Sequence, residues 1–132
     1  MAEGEEAAAQ KATLQDTHAP TIFDKIMKKE IPSTVVYEDD LVYAFRDISP
    51  QAPTHILIIP KHKDGLTQLI KAEEKDKEIL GHLLYAAKLV AVQEGLEKGY
   101  RVVINDGPDG CQSVYHLHLH LLGGRKMKWP PG

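Results

Sequence analysis

Three histidines alternate with leucines in residues 113–122, and no other feature limits the folds open to this chain as strongly. Apolar and other residues alternate there with a period of two, which predicts a half-buried β-strand. Because successive side chains of a strand point to opposite faces, His116, His118 and His120 share one face and the leucines share the other. Neighbouring histidines would lie roughly 6.5–7 Å apart.

Three explanations compete for this row of histidines. A zinc ion needs nitrogens that converge on it at about 2.0–2.1 Å. Since the outer two histidines would lie ~13 Å apart along a strand, a zinc site would use two of them and ligands from elsewhere. Neutral imidazole can also attack phosphorus or carbon and move protons. The third explanation is a polar strand face with structural histidines, which three in one row argue against. The spacing alone does not choose between metal and nucleophile.

The overall composition indicates one ordinary globular domain. The chain has 132 residues, a formal net charge of −3 and 42% hydrophobic residues. No basic excess points to a nucleic acid polymer, and no apolar run approaches the ~20 residues that span a membrane. Cys111 is the one cysteine, which excludes an internal disulfide, and the first residues lack the apolar core of a secretory signal. We expect a cytoplasmic protein, with the nucleus open as a second compartment.

The order of elements predicts an α+β fold. Residues 1–20 contain almost no large apolar side chains and predict a flexible tail, so the domain covers 21–132. Periodicity and turn residues place helices and strands in the remainder. The predicted elements are a short helix over 22–30, strands over 35–37, 41–45 and 55–59, a long helix over 72–93, and strands over 100–104 and 113–122. Strands joined by turns favour an antiparallel sheet, with the helices on one face.

Several sequence blocks together carry a resemblance to a known family. Residues 116–122 read His-Leu-His-Leu-His-Leu-Leu, which matches the histidine-triad pattern of three histidines separated by apolar residues. Further matching blocks are residues 21–26, 47–61 and 110–114 and the Gly-Gly-Arg…Trp-Pro-Pro-Gly ending. Over 21–132 the chain resembles the Hint branch of the histidine triad (HIT) family. Leu122 departs from the diadenosine-polyphosphate hydrolase branch, which typically has Gln there. One cysteine leaves no ligands for the zinc finger of the aprataxin-like branch.

The resemblance implies a fold, an assembly and a reaction. The fold would be a five-stranded antiparallel sheet with one short and one long helix, and the sheets would join across a homodimer. The reaction would be cofactor-free hydrolysis of purine nucleoside phosphoramidates to AMP and an amine. His118 would attack the α-phosphorus to give a nucleotidyl-imidazole, with His116 and His55 as a relay behind it. His120 would contact the phosphate or its ester oxygen, and Ser113 would donate to the phosphate or the leaving amine.

The same resemblance implies the nucleotide contacts. Asp47 would accept from both ribose hydroxyls, and Asn105 would hold the junction of phosphate and ribose. Backbone N–H groups of residues 110–114 would help to bind the phosphate, and Trp129 would reach the partner protomer's site. Base-lining residues would be Phe23, Ile26, Ile31, Phe45 and Ile48. The remaining nucleotide contacts would be Gln112 and Val114.

Cys111 occupies a position where many family members have glycine. A positive φ there would strain a non-glycine residue, although we expect the local conformation to tolerate it. The thiol also keeps a zinc alternative open, in which His116, His118 or His55 would bind zinc together with Cys111. A further alternative is an interaction protein that senses nucleotides without significant turnover.

Overall fold

The fold is known from a computed structural model that describes residues 19–132. Its strands form one fully antiparallel sheet in the order β1-β2-β3-β5-β4, which confirms the α+β prediction. All but the last two residues of the predicted tail lie outside the described residues. The elements are α1 (Ile22–Met27), β1 (Val35–Glu38), β2 (Val42–Arg46), β3 (Thr54–Pro60), α2 (Lys77–Gln93), β4 (Tyr100–Val103) and β5 (Leu119–Gly123).

Helix α1 is short because both of its ends are fixed by local chemistry. At its start the Thr21 side chain accepts from the Phe23 N–H at 3.2 Å, and the Asp24 carboxylate accepts from the Thr21 N–H at 2.7 Å. This reciprocal capping satisfies N–H groups that the first helical turn leaves open. At the other end Lys29 adopts a φ of 63°, which no helix continues through. The predicted helix over 22–30 is therefore three residues too long.

The two helices pack on opposite faces of the sheet, so the prediction of helices on one face is wrong. In β2, Val42 and Ala44 join the apolar cluster under α2, whereas Tyr43 and Phe45 join the cluster that includes α1 residues. Strand β3 divides its side chains between the same two clusters. Strands β2 and β3 are therefore buried on both faces. This agrees with their sequences, which do not alternate between apolar and polar residues.

Helix α2 begins at Lys77, five residues later than predicted. Two single 3₁₀ turns precede it, at Leu69–Lys71 and Glu74–Asp76. The buried Asp76 carboxylate accepts from the Glu73 N–H at 2.9 Å, which stabilises a turn there instead of a continuous helix. Within residues 19–132, none of the helices is long and apolar enough to cross a membrane.

The strand predicted over 113–122 begins only at Leu119. Beyond the Ile58–Leu119 pair, the neighbouring strand β3 ends at Pro60, which has no N–H for a sheet hydrogen bond. The Pro60 carbonyl instead accepts from the His116 ring, and the Leu117 N–H bonds to Leu66 at 2.9 Å. Residues before Leu119 thus obtain their hydrogen bonds outside the sheet, and two of the three histidines lie in an irregular segment.

The Asp39 carboxylate makes three hydrogen bonds within the β1–β2 hairpin and one to α2. Its carboxylate accepts from the Tyr37 hydroxyl at 2.7 Å and from the N–H groups of Leu41 and Val42 at 2.8 and 2.9 Å. The His82 Nε2 lies 2.7 Å away. Burial raises the pKa of Asp39, but these hydrogen bonds outweigh it and hold that pKa well below its usual range.

Replacing Asp39 by alanine should lower the free energy of unfolding at pH 7 by about 1.5–3 kcal/mol, the range for hydrogen bonds to a charged group. Because the folded-state pKa is depressed, this stabilisation is present above the unfolded-state pKa of about 4 and is lost as pH falls below it. Urea unfolding of both proteins from pH 7 to pH 2 should show the difference shrinking. Asp40→Ala, at an exposed neighbour, is the control; equal effects of the two substitutions would contradict this account.

Candidate active site

A hydrogen bond to one ring nitrogen of His118 fixes the tautomer of the ring. Its Nδ1 lies 2.7 Å from the His116 carbonyl oxygen. Since a carbonyl only accepts, Nδ1 carries the proton and donates, and Nε2 keeps its lone pair in the neutral ring. The ring is only 4% exposed. A buried imidazole with a fixed tautomer has the arrangement that a nucleophile requires.

Phe23 fixes the plane of the His118 ring from the side. The two ring centroids lie 4.9 Å apart with an interplanar angle of 89°, an edge-to-face contact. Phe23 is itself held by Phe45, with centroids 5.6 Å apart. The resemblance implied that Phe23 lines the base pocket; the structure also places it against the proposed nucleophile.

His116 is fully buried and ties the histidine segment to the end of β3. Its Nε2 lies 2.8 Å from the Pro60 carbonyl oxygen, and its Nδ1 has no partner among residues 19–132. Burial lowers the pKa of His116, although the bond to Pro60 opposes this, so the ring is neutral at pH 7. The His116 ring is thus bonded to the end of β3, and the relay from this ring to His118 stays a prediction.

A second chain of hydrogen bonds sets the tautomers of His55 and His120. The Gln51 N–H donates to His55 Nδ1 at 3.0 Å, so the neutral His55 ring carries its proton on Nε2. That Nε2 lies 2.9 Å from His120 Nδ1 and donates to it. His120 must then carry its own proton on Nε2, so the 3.5 Å contact of this atom with Asn105 Nδ2, which is also a donor, is not a hydrogen bond. His55, predicted to stand behind His118, thus acts on His120.

His120 remains neutral over the whole physiological range. Burial lowers its pKa, and the neighbouring His118 and His55 lower it further, to about 3. Its ring centroid lies 5.1 Å from that of His118. A neutral Nε2–H beside the nucleophile is a hydrogen-bond donor that ordinary acidification does not change. This is the chemistry needed to hold an oxygen of a phosphate group.

Asp47 lies at the edge of the same group. Its Oδ1 accepts from the Ser49 N–H at 2.7 Å, and its Oδ2 lies 3.5 Å from His55 Nε2. One ligand atom each of Asp47, His55 and His120 lie within 4.8 Å of one another, a set that could hold a metal ion. Two imidazoles and a carboxylate suit zinc. This set differs from the predicted alternative in that it contains no Cys111.

The turn 107–114 leads from Asn105 to the histidine segment. Its backbone is compact, since a side chain at Gly110 would overlap the backbone of Asp106. The predicted nucleotide contacts Ser113 and Val114 are half-buried at its end, and Gln112 is only 1% exposed. Cys111 has a φ of 63°, so the strained conformation considered from the sequence does occur.

Cys111→Gly should stabilise the protein. Relieving a left-handed conformation at a non-glycine residue gains about 1–2 kcal/mol, and the greater freedom of glycine in the unfolded chain costs about 0.4–1 kcal/mol. A net gain of about 0.8 kcal/mol in the free energy of unfolding, and at most about 1.6 kcal/mol, is expected from these two terms. Denaturant unfolding would measure it. Cys111→Ser keeps the strain and is the matched control; a glycine variant no more stable than the serine variant would argue against strain at this position.

The predicted base-lining residues divide into two groups. Phe23, Ile26 and Phe45 are buried in the apolar cluster on the α1 face, and Ile31 and Val114 pack against it half-buried. Ile48, in contrast, is 98% exposed. Trp129 is 85% exposed, and its neighbouring Lys128 carbonyl accepts from Arg101 of β4 at 2.8 Å. The side chains of Ile48 and Trp129 contact little of this protomer, and their roles stay predictions.

Two participants in the site carried no sequence signal. Gln51 acts through its backbone N–H, and Pro60 acts through its carbonyl. Backbone groups are the same at every position, so nothing in the residue types identified them. The contact of Phe23 with His118, which the sequence also did not show, follows from α1 covering the second face of the sheet.

An open antiparallel sheet with three alternating histidines, two just before β5 and one within it, defines the histidine-triad class. The sequence profile of the HIT domain matches residues 28–127, and the chain belongs to this family. It is 74% identical over 132 residues to a protein of Zea mays named 14 kDa zinc-binding protein, covering 100% of both chains. It is 70% identical over 128 residues to Adenylylsulfatase HINT1 of Arabidopsis thaliana, covering 97% of this chain and 86% of the relative. Among solved structures, a HIT family hydrolase from Legionella pneumophila superposes with a TM-score of 0.81 at 54% identity, covering 86% of this chain and 100% of that one.

Proposed function

We propose that this protein is a hydrolase that cleaves purine nucleoside phosphoramidates, giving AMP and a free amine through a nucleotidyl group on His118. The observation that carries the proposal is the bond from His118 Nδ1 to the His116 carbonyl at 2.7 Å, which places the ring proton on Nδ1 and the lone pair of the neutral ring on Nε2. Family membership and the solved hydrolase with the same fold support hydrolysis. The phosphoramidate substrate and the purine base are proposed in addition to the hydrolysis.

The proposed reaction has two displacements at the α-phosphorus. First the lone pair of His118 Nε2 forms a P–N bond, and the bond from phosphorus to the amine breaks. The ring then carries a positive charge, which the His116 carbonyl stabilises because it accepts from the Nδ1–H. The departing amine takes one proton, for which the Ser113 hydroxyl is the proposed donor. In the second step water attacks phosphorus and returns one proton to the Ser113 oxygen, the P–Nε2 bond breaks, AMP leaves, and both Ser113 and His118 are restored.

His120 has a different part in this scheme. Its Nε2–H is fixed by the chain from Gln51 through His55, and its pKa of about 3 keeps it neutral. It therefore serves as a hydrogen-bond donor to a phosphate or ester oxygen and not as the acid that protonates the amine. Charge that develops on the phosphate oxygens would meet this donor and backbone N–H groups of residues 110–114.

The group that leaves the α-phosphorus could be an amine or sulfate. The Arabidopsis relative is named an adenylylsulfatase, which indicates an adenylyl group joined to sulfate. Amine and sulfate would both depart from the same α-phosphorus, so the nucleophile and the nucleotide contacts can serve either. Turnover of an AMP amine and of adenylyl sulfate by the same purified protein should be compared. Hydrolysis of adenylyl sulfate without hydrolysis of any AMP amine would reject the phosphoramidase.

Zinc binding is the second candidate function. One specific observation favours it, namely the convergence of Asp47, His55 and His120 within 4.8 Å. The Zea mays relative is also named a zinc-binding protein. A zinc ion on His120 Nδ1 would displace the proton donated by His55 and occupy atoms next to the proposed ribose site. Zinc and nucleotide would then compete.

Chelation separates the two candidate functions. The phosphoramidase proposal expects full activity in protein shown by elemental analysis to be free of metal, and inhibition when zinc is added back. The zinc proposal expects stoichiometric zinc after purification without chelator, and loss of that zinc in His55→Ala. Activity that disappears with the metal and returns with it would reject the cofactor-free mechanism.

We also propose a homodimer in which β4 edges meet. Strand β4 lies at one end of the sheet and exposes Tyr100, and Arg101 anchors the segment that carries the exposed Trp129. An unpaired edge strand is a template for pairing with another chain. Sedimentation equilibrium of the full chain should give twice the 14.7 kDa of one protomer. A monomer at micromolar concentration would reject this assembly.

A further inference from the structure

The Gln112 side chain, close to the site, makes three hydrogen bonds to backbone groups. Its Oε1 accepts from the Gly107 N–H at 2.9 Å. Its Nε2 donates to the Thr67 carbonyl at 2.7 Å and to the Val114 carbonyl at 2.9 Å. At 1% exposure the carboxamide faces the protein interior. Both amide protons are thus used, and no donor is left for a nucleotide.

These three bonds join the two ends of the turn 107–114 to a separate segment. Gly107 begins the turn and Val114 ends it, while Thr67 precedes the 3₁₀ turn Leu69–Lys71. The Gln112 N–H also bonds to the Gly107 carbonyl at 3.1 Å, so side chain and backbone of one residue close the turn. The strained Cys111 lies between the points that Gln112 fixes.

The second segment is itself fastened to the turn. The Asp106 carboxylate accepts from the N–H groups of Leu69 and Ile70. Leu117, next to His116, donates its N–H to the Leu66 carbonyl at 2.9 Å. Residues 66–70 therefore act as a fixed support against which Gln112 holds the turn. Cys111 requires this support because a non-glycine residue keeps a left-handed backbone conformation only when the surrounding structure enforces it.

We infer that Gln112 is a positioning residue: its carboxamide holds the turn 107–114 in the shape that binds the nucleotide's phosphate, and it does not itself contact the nucleotide. The inference deepens the proposed function and rests on it for the identity of the anion. It reassigns Gln112, which the resemblance had placed among the nucleotide contacts. Without the carboxamide, the Gly107 N–H and two carbonyls would be buried and unpaired, and the turn would relax to satisfy them.

The test compares AMP with adenosine, which has no phosphate. Gln112→Met keeps the length of the side chain and removes all three bonds, and Gln112→Glu keeps the acceptor but removes both donors. Each variant should bind AMP at least about tenfold more weakly, which corresponds to roughly 1.4 kcal/mol. Each should bind adenosine within twofold of the wild type. In turnover assays KM for the AMP amine should rise more than kcat falls.

Gln93→Leu is the matched control, since Gln93 donates to the Val36 carbonyl at 2.8 Å at the opposite end of the sheet. It should leave both affinities unchanged. Folded Gln112 variants that bind AMP within twofold of the wild type would overturn the inference while the proposed function stands. Equal weakening of AMP and adenosine would also overturn it, because a general structural defect would then explain the loss. A wild-type protein that binds neither AMP nor inorganic phosphate would reject the proposed function together with the inference.

Wild-type protein provides the test if neither variant folds. Thermodynamic linkage is reciprocal: if the hydrogen bond between Gln112 and Gly107 strengthens phosphate binding, bound phosphate must stabilise that hydrogen bond. Inorganic phosphate should therefore slow hydrogen exchange of the Gly107 amide, which bonds to Gln112 Oε1. The Gln93 carboxamide should exchange at the same rate with and without phosphate. Bound phosphate with unchanged exchange at Gly107 would overturn the inference.

Discussion

His118→Ala is expected to lower kcat/KM for an AMP amine by at least the ~10²–10⁴ that a lost acid–base group typically costs. The loss should be larger here because the substitution removes the atom that forms the covalent bond. The fall should be in kcat, with AMP affinity changed much less, since the neighbouring donor His120 and the turn 107–114 remain. Steady-state kinetics together with calorimetric AMP binding would measure both.

His62→Ala is the control for this prediction, because His62 is exposed and lies outside the histidine group. It should have wild-type activity. The His118 ring is buried, so the variant's fold must be verified by its unfolding transition before its activity is interpreted. A folded His118→Ala protein that retains turnover would exclude this ring as the nucleophile.

Asp47→Ala is expected to abolish discrimination between ribose and 2′-deoxyribose substrates. A carboxylate that accepts from a ribose hydroxyl contributes about 1.5–3 kcal/mol, or roughly 10–100-fold in kcat/KM. The wild type should therefore prefer the ribose substrate by that factor, and the variant should treat the two substrates alike. Kinetics of both proteins on both substrates form a double-mutant cycle.

The same kinetics also report on the contact of Asp47 with His55. Its Oδ2 lies 3.5 Å from His55 Nε2, so the substitution can disturb the chain that sets the His120 tautomer. Any fall in activity on the deoxy substrate reports that disturbance together with the lost contact to the 3′-hydroxyl, because this substrate lacks only the 2′-hydroxyl. A variant that keeps the full ribose preference would remove Asp47 from the ribose site.

The sequence predicted the fold class and all five strands because they depend on local periodicity. It misplaced the start of the histidine strand, since the alternation over residues 113–122 continues where Pro60 ends the neighbouring strand. It also placed both helices on one face. The side of the sheet that Phe23 covers depends on tertiary packing, to which hydrophobic periodicity within α1 is insensitive.

The histidines themselves were identified from sequence, but their hydrogen-bond partners were not. Alternation and resemblance singled out His116, His118 and His120 and added His55. The partners are a carbonyl at His116, a carbonyl at Pro60 and an N–H at Gln51, none of which depends on a side-chain type. The His116 carbonyl sets the tautomer of His118, and the chain from Gln51 through His55 sets that of His120; the relay behind His118 stays a prediction.

The stereochemical course at phosphorus tests the covalent step most directly. An AMP amine with sulfur in place of one α-oxygen, of known configuration, would be hydrolysed in ¹⁸O-labelled water and the product's configuration determined. Two successive in-line displacements, first by the His118 ring and then by water, give retention. Inversion would show that water attacks the substrate in a single step, and the proposal of a nucleotidyl group on His118 would be contradicted.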